Sequence, residues 1–455
     1  MINFKEINTV HFIGIGGIGN SAIAELLIDK NIKVTGSDLN TSDITKNLES
    51  LGATIYEGHQ GSFIDSPDLV VYSSAISENN IEYVTTKEKN IPLVNRAEIL
   101  GALLDTYDTS IAVSGTHGKT TTSSMITCIL KNLDFEPTAL IGGNLEAIHG
   151  NVLKGAGNII ITEACEYKEN FLNLKATYGV ILNIEEDHLD YFDDLEHIIK
   201  AFINFSKNIK PNGALIVNND DYNTKRIHQY VDIKIITIGI NQKSDYQAKN
   251  ITFDNLSNPT FDIFYKEDLL TKCTLSVPGM HNIYNALSAI ALTNLFEEDI
   301  EKITKEIEDF KGVHRRFEYM GEYNGAIVVD DYAHHPTEIK ATLSTTKKLA
   351  HPRTVCVFQP HTYSRTKELL LEFASAFEDA DEVIITDIYA AREENTYGIS
   401  AEDLVNAMKK EQKNVKYIST LEACETYLKD TLKENELAIM LGAGNIRNLS
   451  ENLVK

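Results

Sequence analysis

Short, nearly continuous apolar runs recur along the chain and alternate with segments that have helical periodicity. Such runs are typical of parallel strands that are buried on both faces of a sheet. Strands that alternate with helices predict an α/β fold. The clearest runs lie at residues 10–15, 33–36, 69–73, 111–113, 158–162, 178–182, 214–217, 326–329, 354–358, 382–386 and 437–441.

The pattern divides the chain into three α/β domains, which we place at residues 1–107, 108–312 and 313–455. The first and the last are predicted to be Rossmann-like, with strand ends that carry polar residues. Within the central domain, residues 232–277 alternate apolar and polar positions in short runs, which predicts small, partly antiparallel β-structure.

Composition and charge restrict the class of protein. Of the 455 residues, 43% are hydrophobic and 24% are charged, as in an ordinary globular protein. Neither an apolar run long enough to span a bilayer nor a signal peptide is evident, so we expect a cytoplasmic protein without membrane insertion. The net charge of −24 argues against nucleic acid as a partner. Five scattered cysteines argue against a disulfide framework.

The stretch from Ile111 to Thr122 combines a buried strand, a glycine turn and the start of a helix. Backbone N–H groups in such a turn face a common point at the positive end of the helix dipole, where a polyphosphate binds. The lysine would contact the outer phosphates, and the first threonine hydroxyl would bind Mg²⁺. The candidate nucleotide-binding residues are Gly115, Thr116, His117, Gly118, Lys119, Thr120 and Thr121.

A second glycine loop follows the first strand of the chain. It has the G-x-G-x-x-G pattern, and Asp38 lies 19 residues beyond its last glycine, where a dinucleotide fold places a ribose-binding carboxylate. The pattern fits an NAD-dependent dehydrogenase, but the same turn suits a UDP-sugar. The candidate residues here are Gly14, Gly16, Gly17, Gly19, Asp38, Ser73 and Ser74.

Acidic clusters follow two central strands, at residues 163–166 and 185–190. Because parallel strands bind ligands at their carboxyl ends, these clusters should face the phosphate loop. Carboxylate and imidazole groups beside a triphosphate suggest Mg²⁺ ligation, which we assign to Thr120, Glu163 and His188. A general-base role for His188 is the alternative. Most of the other acids of 185–190 are expected to form a solvated turn.

Two further pairs of residues allow two interpretations each. Asn282 and Asn285 share a helix face, where their amides could pair with adenine or could cap the helix. Arg315 and Arg316 lie between two domains, where an arginine could reach a transferring phosphate or form a surface salt bridge.

Taken together, these stretches resemble the Mur ligases, the ATP-dependent amino-acid ligases that build the peptidoglycan stem peptide. The segments that carry the resemblance are residues 11–19, the phosphate loop at 115–121 and the segment 330–338. The resemblance implies a UDP-sugar, UDP-N-acetylmuramate, in the N-terminal domain rather than NAD. It also implies ATP with Mg²⁺ in the central domain and an incoming amino acid, L-alanine, at the C-terminal domain.

The resemblance also assigns roles to individual residues. It implies that Lys119, His188 and Arg316 are catalytic, with Arg316 on the γ-phosphate, and that Asp331 contacts the ribose and Asn282 and Asn285 contact adenine. The residues it places around the amino acid are Tyr332, His334, His361 and Arg365. Thr362 replaces an arginine of many members, which leaves one carboxylate contact open.

Four alternatives remain at this point. Two are other ligases of the same type, a tripeptide-recycling ligase and a folylpolyglutamate synthetase. The third is an NAD-dependent dehydrogenase, which would have no use for the Lys119 loop. The fourth is a non-catalytic nucleotide sensor, which the presence of Lys119, Glu163, His188 and Arg316 together disfavours. For the oligomeric state we expect a monomer or a homodimer.

Overall fold

The computed structural model describes residues 2–73, 75–297, 299–349, 351–391, 393–411 and 414–455. The strands are β1 Thr9–Ile13, β2 Lys33–Asp38, β3 Thr54–Glu57, β4 Leu69–Tyr72, β5 Leu93–Asn95, β6 Thr109–Ser114, β7 Thr138–Leu145, β8 Gly150–Leu153, β9 Ile159–Glu163, β10 Tyr178–Ile181, β11 Ala214–Asn218, β12 Lys234–Gly239, β13 Tyr246–Phe253, β14 Pro259–Tyr265, β15 Asp268–Thr274, β16 Glu318–Tyr323, β17 Ala326–Asp331, β18 Thr354–Phe358, β19 Glu382–Ile385, β20 Val415–Tyr417 and β21 Leu437–Leu441. The α-helices are α1 Ile18–Asp29, α2 Asp43–Ser50, α3 Ile81–Glu88, α4 Arg96–Leu104, α5 Lys119–Asn132, α6 Leu195–Lys207, α7 Tyr222–Lys225, α8 Met280–Thr293, α9 Ile300–Glu308, α10 Pro336–Thr346, α11 Tyr363–Glu368, α12 Leu370–Ala374, α13 Ala401–Lys410, α14 Leu421–Thr431 and α15 Arg447–Leu453.

The N-terminal domain is built on a five-stranded parallel sheet in the order β3-β2-β1-β4-β5. Its central strand, β1, leads into the first glycine loop, which therefore lies at the carboxyl edge of the sheet. Beneath that loop, the fully buried Glu82 carboxylate accepts hydrogen bonds from Ser37 and from the ring of His11. Burial raises the pKa of Glu82, but these hydrogen bonds outweigh it and lower the pKa below its usual value.

The central domain has a ten-stranded sheet in the order β15-β14-β13-β12-β11-β10-β6-β9-β7-β8. Strands β7 and β9 to β12 are parallel to β6 or to one another, whereas β8 and the ribbon β13-β14-β15 add antiparallel pairs. The predicted antiparallel structure of residues 232–277 is thus confirmed, and it extends the parallel sheet. The phosphate loop follows β6, which lies inside the sheet and is almost fully buried.

The C-terminal domain has a six-stranded sheet in the order β16-β17-β21-β18-β19-β20. All its neighbouring pairs are parallel except β16 with β17. The carboxyl ends of β17 and β18 therefore lie on one edge, which faces the central domain. The predicted α/β fold with three domains is confirmed.

The predicted domain boundaries fall between elements. Position 107/108 lies between α4 and β6, and position 312/313 lies between α9 and β16. The exact boundaries stay predictions. No helix in the described ranges is long and apolar enough to cross a membrane. The five cysteines, all in the described part of the chain, carry free thiols.

Candidate functional site

The phosphate loop is shaped by two glycines in the left-handed region of φ. Gly115 has φ of 139° and Gly118 has φ of 86°, and Gly118 directly precedes the first turn of α5. A Cβ on Gly118 would lie 2.6 Å from Asn285 Oδ1, so the loop and α8 approach closely only because the side chain is missing. Thr120 and Thr121 are buried in the first turn of α5. The backbone between the two glycines is therefore held against α8.

The Lys119 ammonium is paired with a carboxylate that the sequence interpretation had not singled out. Lys119 Nζ lies 3.0 Å from Glu166 Oε2 and donates to the carbonyl of Thr116 at 3.1 Å. Burial lowers the pKa of Lys119, but the Glu166 carboxylate outweighs it and raises the pKa, so the lysine is charged. Glu166 also lies 3.6 Å from His188 Nε2. One carboxylate thus connects the phosphate loop with the predicted metal-site histidine.

The predicted metal ligands Thr120, Glu163 and His188 are each connected with this lysine: Thr120 follows it in α5, Glu163 acts on it electrostatically, and His188 contacts its partner Glu166. The Glu163 carboxylate accepts a hydrogen bond from the backbone N–H of Gly142 at 2.6 Å, and a Cβ at Gly142 would lie 2.7 Å from that carboxylate. Carboxylate and hydroxyl oxygens are the ligands that Mg²⁺ prefers, usually together with phosphate oxygens. The oxygen donors of Thr120 and Glu163 therefore fit magnesium, whereas His188 would add a nitrogen, which magnesium prefers less.

A cavity of about 160 Å³ lies between the central and the C-terminal domain, beside the phosphate loop. The predicted nucleotide residues that line it are His117, Gly118, Thr121, Asn282, Asn285, Arg316 and Asp331. The Asn285 amide donates to Asn282 Oδ1 at 2.9 Å, and the Asn282 amide donates to the Pro278 carbonyl. The two amides are therefore fixed in orientation at the cavity wall, and no side chain caps α8 at Gly279.

The two arginines of the interdomain segment have different surroundings. Arg315 donates to the carbonyls of Gly442 and Gly444, which makes its role structural. The Arg316 guanidinium lies over the Tyr332 ring, with its Nη1 3.8 Å from Glu338 Oε1, and it faces the cavity. Nearby, burial raises the pKa of Asp331 to about 6, although it accepts backbone N–H bonds from Phe317 and Ala333.

A larger cavity of about 760 Å³ is lined by residues of all three domains. Ala75 comes from the first domain, His188 from the second, and His361 and Arg365 from the third. Tyr332 and His334 lie behind this lining, with the His334 ring 5.9 Å from the His361 ring. Burial lowers the pKa of His334 to about 3, so this imidazole is neutral at physiological pH.

The expectation that the acids after β10 form a solvated turn is wrong for two of them. Asp187 is buried, with Oδ1 3.0 Å from Arg365 Nη2, and this ion pair joins the central to the C-terminal domain. Burial raises the pKa of Asp187, but Arg365 outweighs it and holds the pKa far below its usual value. Glu185 contacts His117 and Thr337, whereas Glu186 and Asp190 are exposed as predicted.

The first glycine loop borders a cleft of about 380 Å³ between the N-terminal and central domains. The predicted residues Gly17, Gly19 and Ser73 line it, together with Glu163, whereas Gly14 packs behind Ser73. Ser74 lies outside the described residues. The Asp38 carboxylate accepts a hydrogen bond from the backbone N–H of Gly16 at 2.8 Å. In this structure Asp38 therefore stabilises the conformation of the first glycine loop.

The sequence interpretation missed Arg96, which places a guanidinium in this cleft. A Cβ on Gly19 would lie 2.8 Å from Arg96 Nη1, so the glycine makes room for the cation. The only sequence signal was an arginine that follows the capping residue Asn95 at the start of α4, and this is a common surface position.

The fold and the clefts define a class of protein: a three-domain α/β protein with clefts between its domains, one of which is lined by the glycine turn before α5. Comparison with known proteins specifies the class further. The chain matches the profiles described as "Mur ligase family, catalytic domain" over residues 9–108, "Mur ligase middle domain" over 113–293 and "Mur ligase, glutamate ligase domain" over 315–444.

Individual relatives cover the whole chain. It is 44% identical to the UDP-N-acetylmuramate–L-alanine ligase of Caldanaerobacter subterraneus, over 100% of this chain and 99% of that protein. The crystal structure of the UDP-N-acetylmuramate–alanine ligase of Thermotoga maritima matches with a TM-score of 0.82 at 30% identity, over 98% of each chain. A murein peptide ligase from Psychrobacter arcticus shares the fold, with a TM-score of 0.74 at 24% identity over 98% of each chain. The chain belongs to the Mur ligase family, and the resemblance read from the motifs is confirmed.

Proposed function

We propose that this chain joins L-alanine to the carboxylate of UDP-N-acetylmuramate, with ATP converted to ADP and phosphate, in peptidoglycan precursor synthesis. The observation that carries the proposal is the contact series Lys119–Glu166–His188, which connects the phosphate loop beside one cleft with His188 in the wall of a second. Glu163, which acts electrostatically on Lys119, lines the third cleft. Relatives that carry this activity in their names match the chain from end to end. A cytoplasmic location belongs to the same proposal.

In this mechanism the muramyl carboxylate attacks the γ-phosphorus of ATP, and the bond from that phosphorus to the ADP oxygen breaks. The product is an acyl phosphate. The uncharged amine of L-alanine then attacks the acyl carbon, phosphate leaves with its bonding electrons, and the amine loses a proton. A carboxylate needs this activation because it is itself a poor electrophile.

The chain contributes mainly electrostatic stabilisation, because the first step brings two anions together. Lys119 would exchange its contact with Glu166 for the outer phosphate oxygens, and Arg316 would contact the γ-phosphate from the C-terminal side. Magnesium, held by Thr120, Glu163 and His188, would supply further neutralisation of phosphate charge. The Asp187–Arg365 pair holds the C-terminal domain against the central one, which helps to exclude water from the acyl phosphate.

The binding roles follow the three clefts. The UDP-sugar would lie along the first glycine loop, with Arg96 as a cation for its diphosphate. ATP would place adenine against Asn282 and Asn285 and its ribose against Asp331. L-alanine would bind beside His361 and Arg365.

The test is a coupled ADP-release assay on the purified chain with Mg²⁺, ATP and UDP-N-acetylmuramate. L-alanine, glycine and L-serine are supplied in turn, and a stem tripeptide is supplied as the rival substrate. We expect release to depend on both acceptor and amino acid, with the highest kcat/KM for L-alanine. Turnover with the tripeptide but not with L-alanine would indicate a recycling ligase instead. NADH oxidation without ADP release would indicate a dehydrogenase.

The close approach of Gly118 to Asn285 gives a first variant. Gly118→Ala forces an alanine into the left-handed region, at a cost of about 1–2 kcal/mol, and displaces the Asn285 amide. We expect the KM for ATP to rise about tenfold, since 1.4 kcal/mol corresponds to a factor of ten. Gly150→Ala is the matched control, because a Cβ there meets nothing within 4 Å. An unchanged KM for ATP in Gly118→Ala would contradict the proposed position of adenine.

Asp331 gives a pH dependence with a defined sign. Its pKa of about 6 in the folded chain lies above the ordinary value of 3.8. The contribution of this group to the free energy of unfolding therefore falls as the pH rises from about 4 to 6. Ribose hydroxyls would donate to the ionised carboxylate. We therefore expect the KM for ATP to rise about fourfold from pH 7.5 to 5.5 through loss of the ionised form. Asp331→Asn should raise this KM at pH 7.5 and flatten its profile, which steady-state kinetics would measure.

A further inference from the structure

A second cluster of ligand-type side chains lies away from Lys119, Glu163 and His188. His117 of the phosphate loop, Glu185 after β10 and His335 before α10 each offer an atom within 4.8 Å of the other two. The two imidazole rings are 4.8 Å apart. His335 is buried, and the exposed fraction of the His117 side chain is 13%. Two histidines and one carboxylate form the ligand set of many zinc sites.

The second nitrogen of each histidine is already held by an acceptor. His117 Nδ1 donates to Glu338 Oε1 at 3.1 Å, and His335 Nε2 donates to the Glu186 carbonyl at 2.9 Å. Metal-binding histidines usually show this arrangement, in which a carboxylate or carbonyl fixes the ring so that the other nitrogen faces the ion. It leaves His117 Nε2 and His335 Nδ1 for an ion beside Glu185.

The free nitrogen of His117 is an unusual group in its own right. His117 Nε2 is buried and has no hydrogen-bond partner among the described residues, and Glu185 Oε2 lies 3.6 Å away, beyond hydrogen-bond distance. His335 Nδ1 accepts a hydrogen bond from the Thr337 N–H at 3.4 Å, where it caps α10. Buried polar atoms without partners are rare in folded proteins, and an ion at this position would give His117 Nε2 a partner and would replace the long bond of His335 Nδ1.

We propose that His117, Glu185 and His335 form a site for a divalent transition metal of the zinc class, separate from the magnesium site. Imidazole nitrogens favour zinc over magnesium, which prefers oxygen. The ion would displace a proton from His117 Nε2 to solvent and leave its fourth position open to water. Only a contraction of the side chains is needed, because zinc ligands lie about 2.0–2.2 Å from the ion.

The three proposed ligands come from two different domains, so a bound ion would affect how these domains move. His117 and Glu185 belong to the central domain, whereas His335 belongs to the C-terminal domain, and both His117 and Glu185 line the cavity beside the phosphate loop. A bound ion would therefore fasten the phosphate loop to the C-terminal domain. Since ligases of this kind must open to exchange substrates, zinc at this site would inhibit turnover.

The experiment measures zinc binding to the full, metal-free chain without nucleotide, by calorimetry, with Co²⁺ absorption as a probe of tetrahedral geometry. We expect one site with nitrogen ligation and release of a proton. His335→Gln and Glu185→Gln should each weaken binding at least tenfold, and Glu338→Gln should weaken it about 10–100-fold through loss of the contact to His117. His228→Gln, a histidine of the central domain outside the cluster, is the control and should bind zinc as the unaltered chain does.

The outcomes separate this site from the magnesium site. Unchanged zinc affinity in both His335→Gln and Glu185→Gln, with folding checked by circular dichroism, would overturn the proposal. Zinc binding that is lost in His188→Gln but kept in His335→Gln would also overturn it, because the ion would then occupy the magnesium ligands. His335→Gln and Glu185→Gln lie in different domains. If one of these variants misfolds, the other still tests the proposal. Failure of the ligase assay would not affect this readout.

Discussion

The Lys119→Ala variant is expected to release ADP at least about 10³-fold more slowly than the unaltered chain while it still binds UDP-N-acetylmuramate. The ammonium donates to the backbone of the turn between the two loop glycines, and removal of a single charge-stabilising group in comparable sites costs about 10²–10³-fold or more. The lining of the proposed sugar cleft includes Glu163 but not Lys119, so binding of the UDP-sugar should persist and be measurable by calorimetry. Steady-state ADP release gives the rate.

Lys131→Ala is the matched control, because Lys131 lies at the end of the same helix and contacts only the exposed carbonyl of Ala147. Lys119→Ala also leaves the buried Glu166 carboxylate without its cation, so the melting temperature is measured for both variants. Loss of UDP-sugar binding together with ADP release, in a chain that remains folded, would contradict separate sites for the two substrates.

Arg365→Ala is expected to give the second large effect. It leaves the Asp187 carboxylate, whose side chain is 9% exposed, without its partner, and breaking a buried pair on one side costs about 3–5 kcal/mol. The same change removes the guanidinium from the proposed L-alanine cleft. We therefore expect a lower melting temperature and a KM for L-alanine raised at least tenfold, measured by calorimetry and by the ADP-release assay.

A double variant separates the two effects. Asp187→Ala combined with Arg365→Ala removes the unpaired charge, so it should recover much of the lost stability without restoring the KM for L-alanine. Lys367→Ala serves as the control, since Lys367 is an exposed cation on the same helix, α11. If the double variant recovers the KM as well, Arg365 acts on the domain contact alone and not on the amino acid.

The hydrophobic pattern predicted the parallel part of the fold well. Strands β18 and β21 were predicted with the bounds that the structure has, and β6 and β10 within a few residues. These strands are buried on both faces, so every position along them must be apolar, and this is visible in the sequence. The hairpin β7–β8 and strand β16 were missed because they are edge or near-edge strands, where glycines and polar side chains interrupt the pattern.

The candidate site was predictable where backbone geometry creates the signal. Glycine turns at Gly115 and Gly118 can be read from the sequence because only glycine suits their conformation. Partners that meet across domains were not predictable. The roles of Glu166 and Arg96 arise from contacts with residues far away in the sequence. The ion pair of Asp187 with Arg365 joins residues that are 178 positions apart. No local pattern encodes such contacts. The roles assigned to the site residues stay predictions until the variants are measured.

The ion pair between Lys119 and Glu166 has a consequence for selectivity. The lysine already possesses a counterion, so a small oxyanion such as sulfate gains little by approaching it and must push a carboxylate aside. A nucleotide that arrives with Mg²⁺ would bring a cation near Glu166 as the lysine leaves this carboxylate for the phosphates, so the exchange would cost little charge pairing. The net charge of −24 already disfavours binding of anions. This exchange would make the loop bind the metal-bound triphosphate in preference to simple anions.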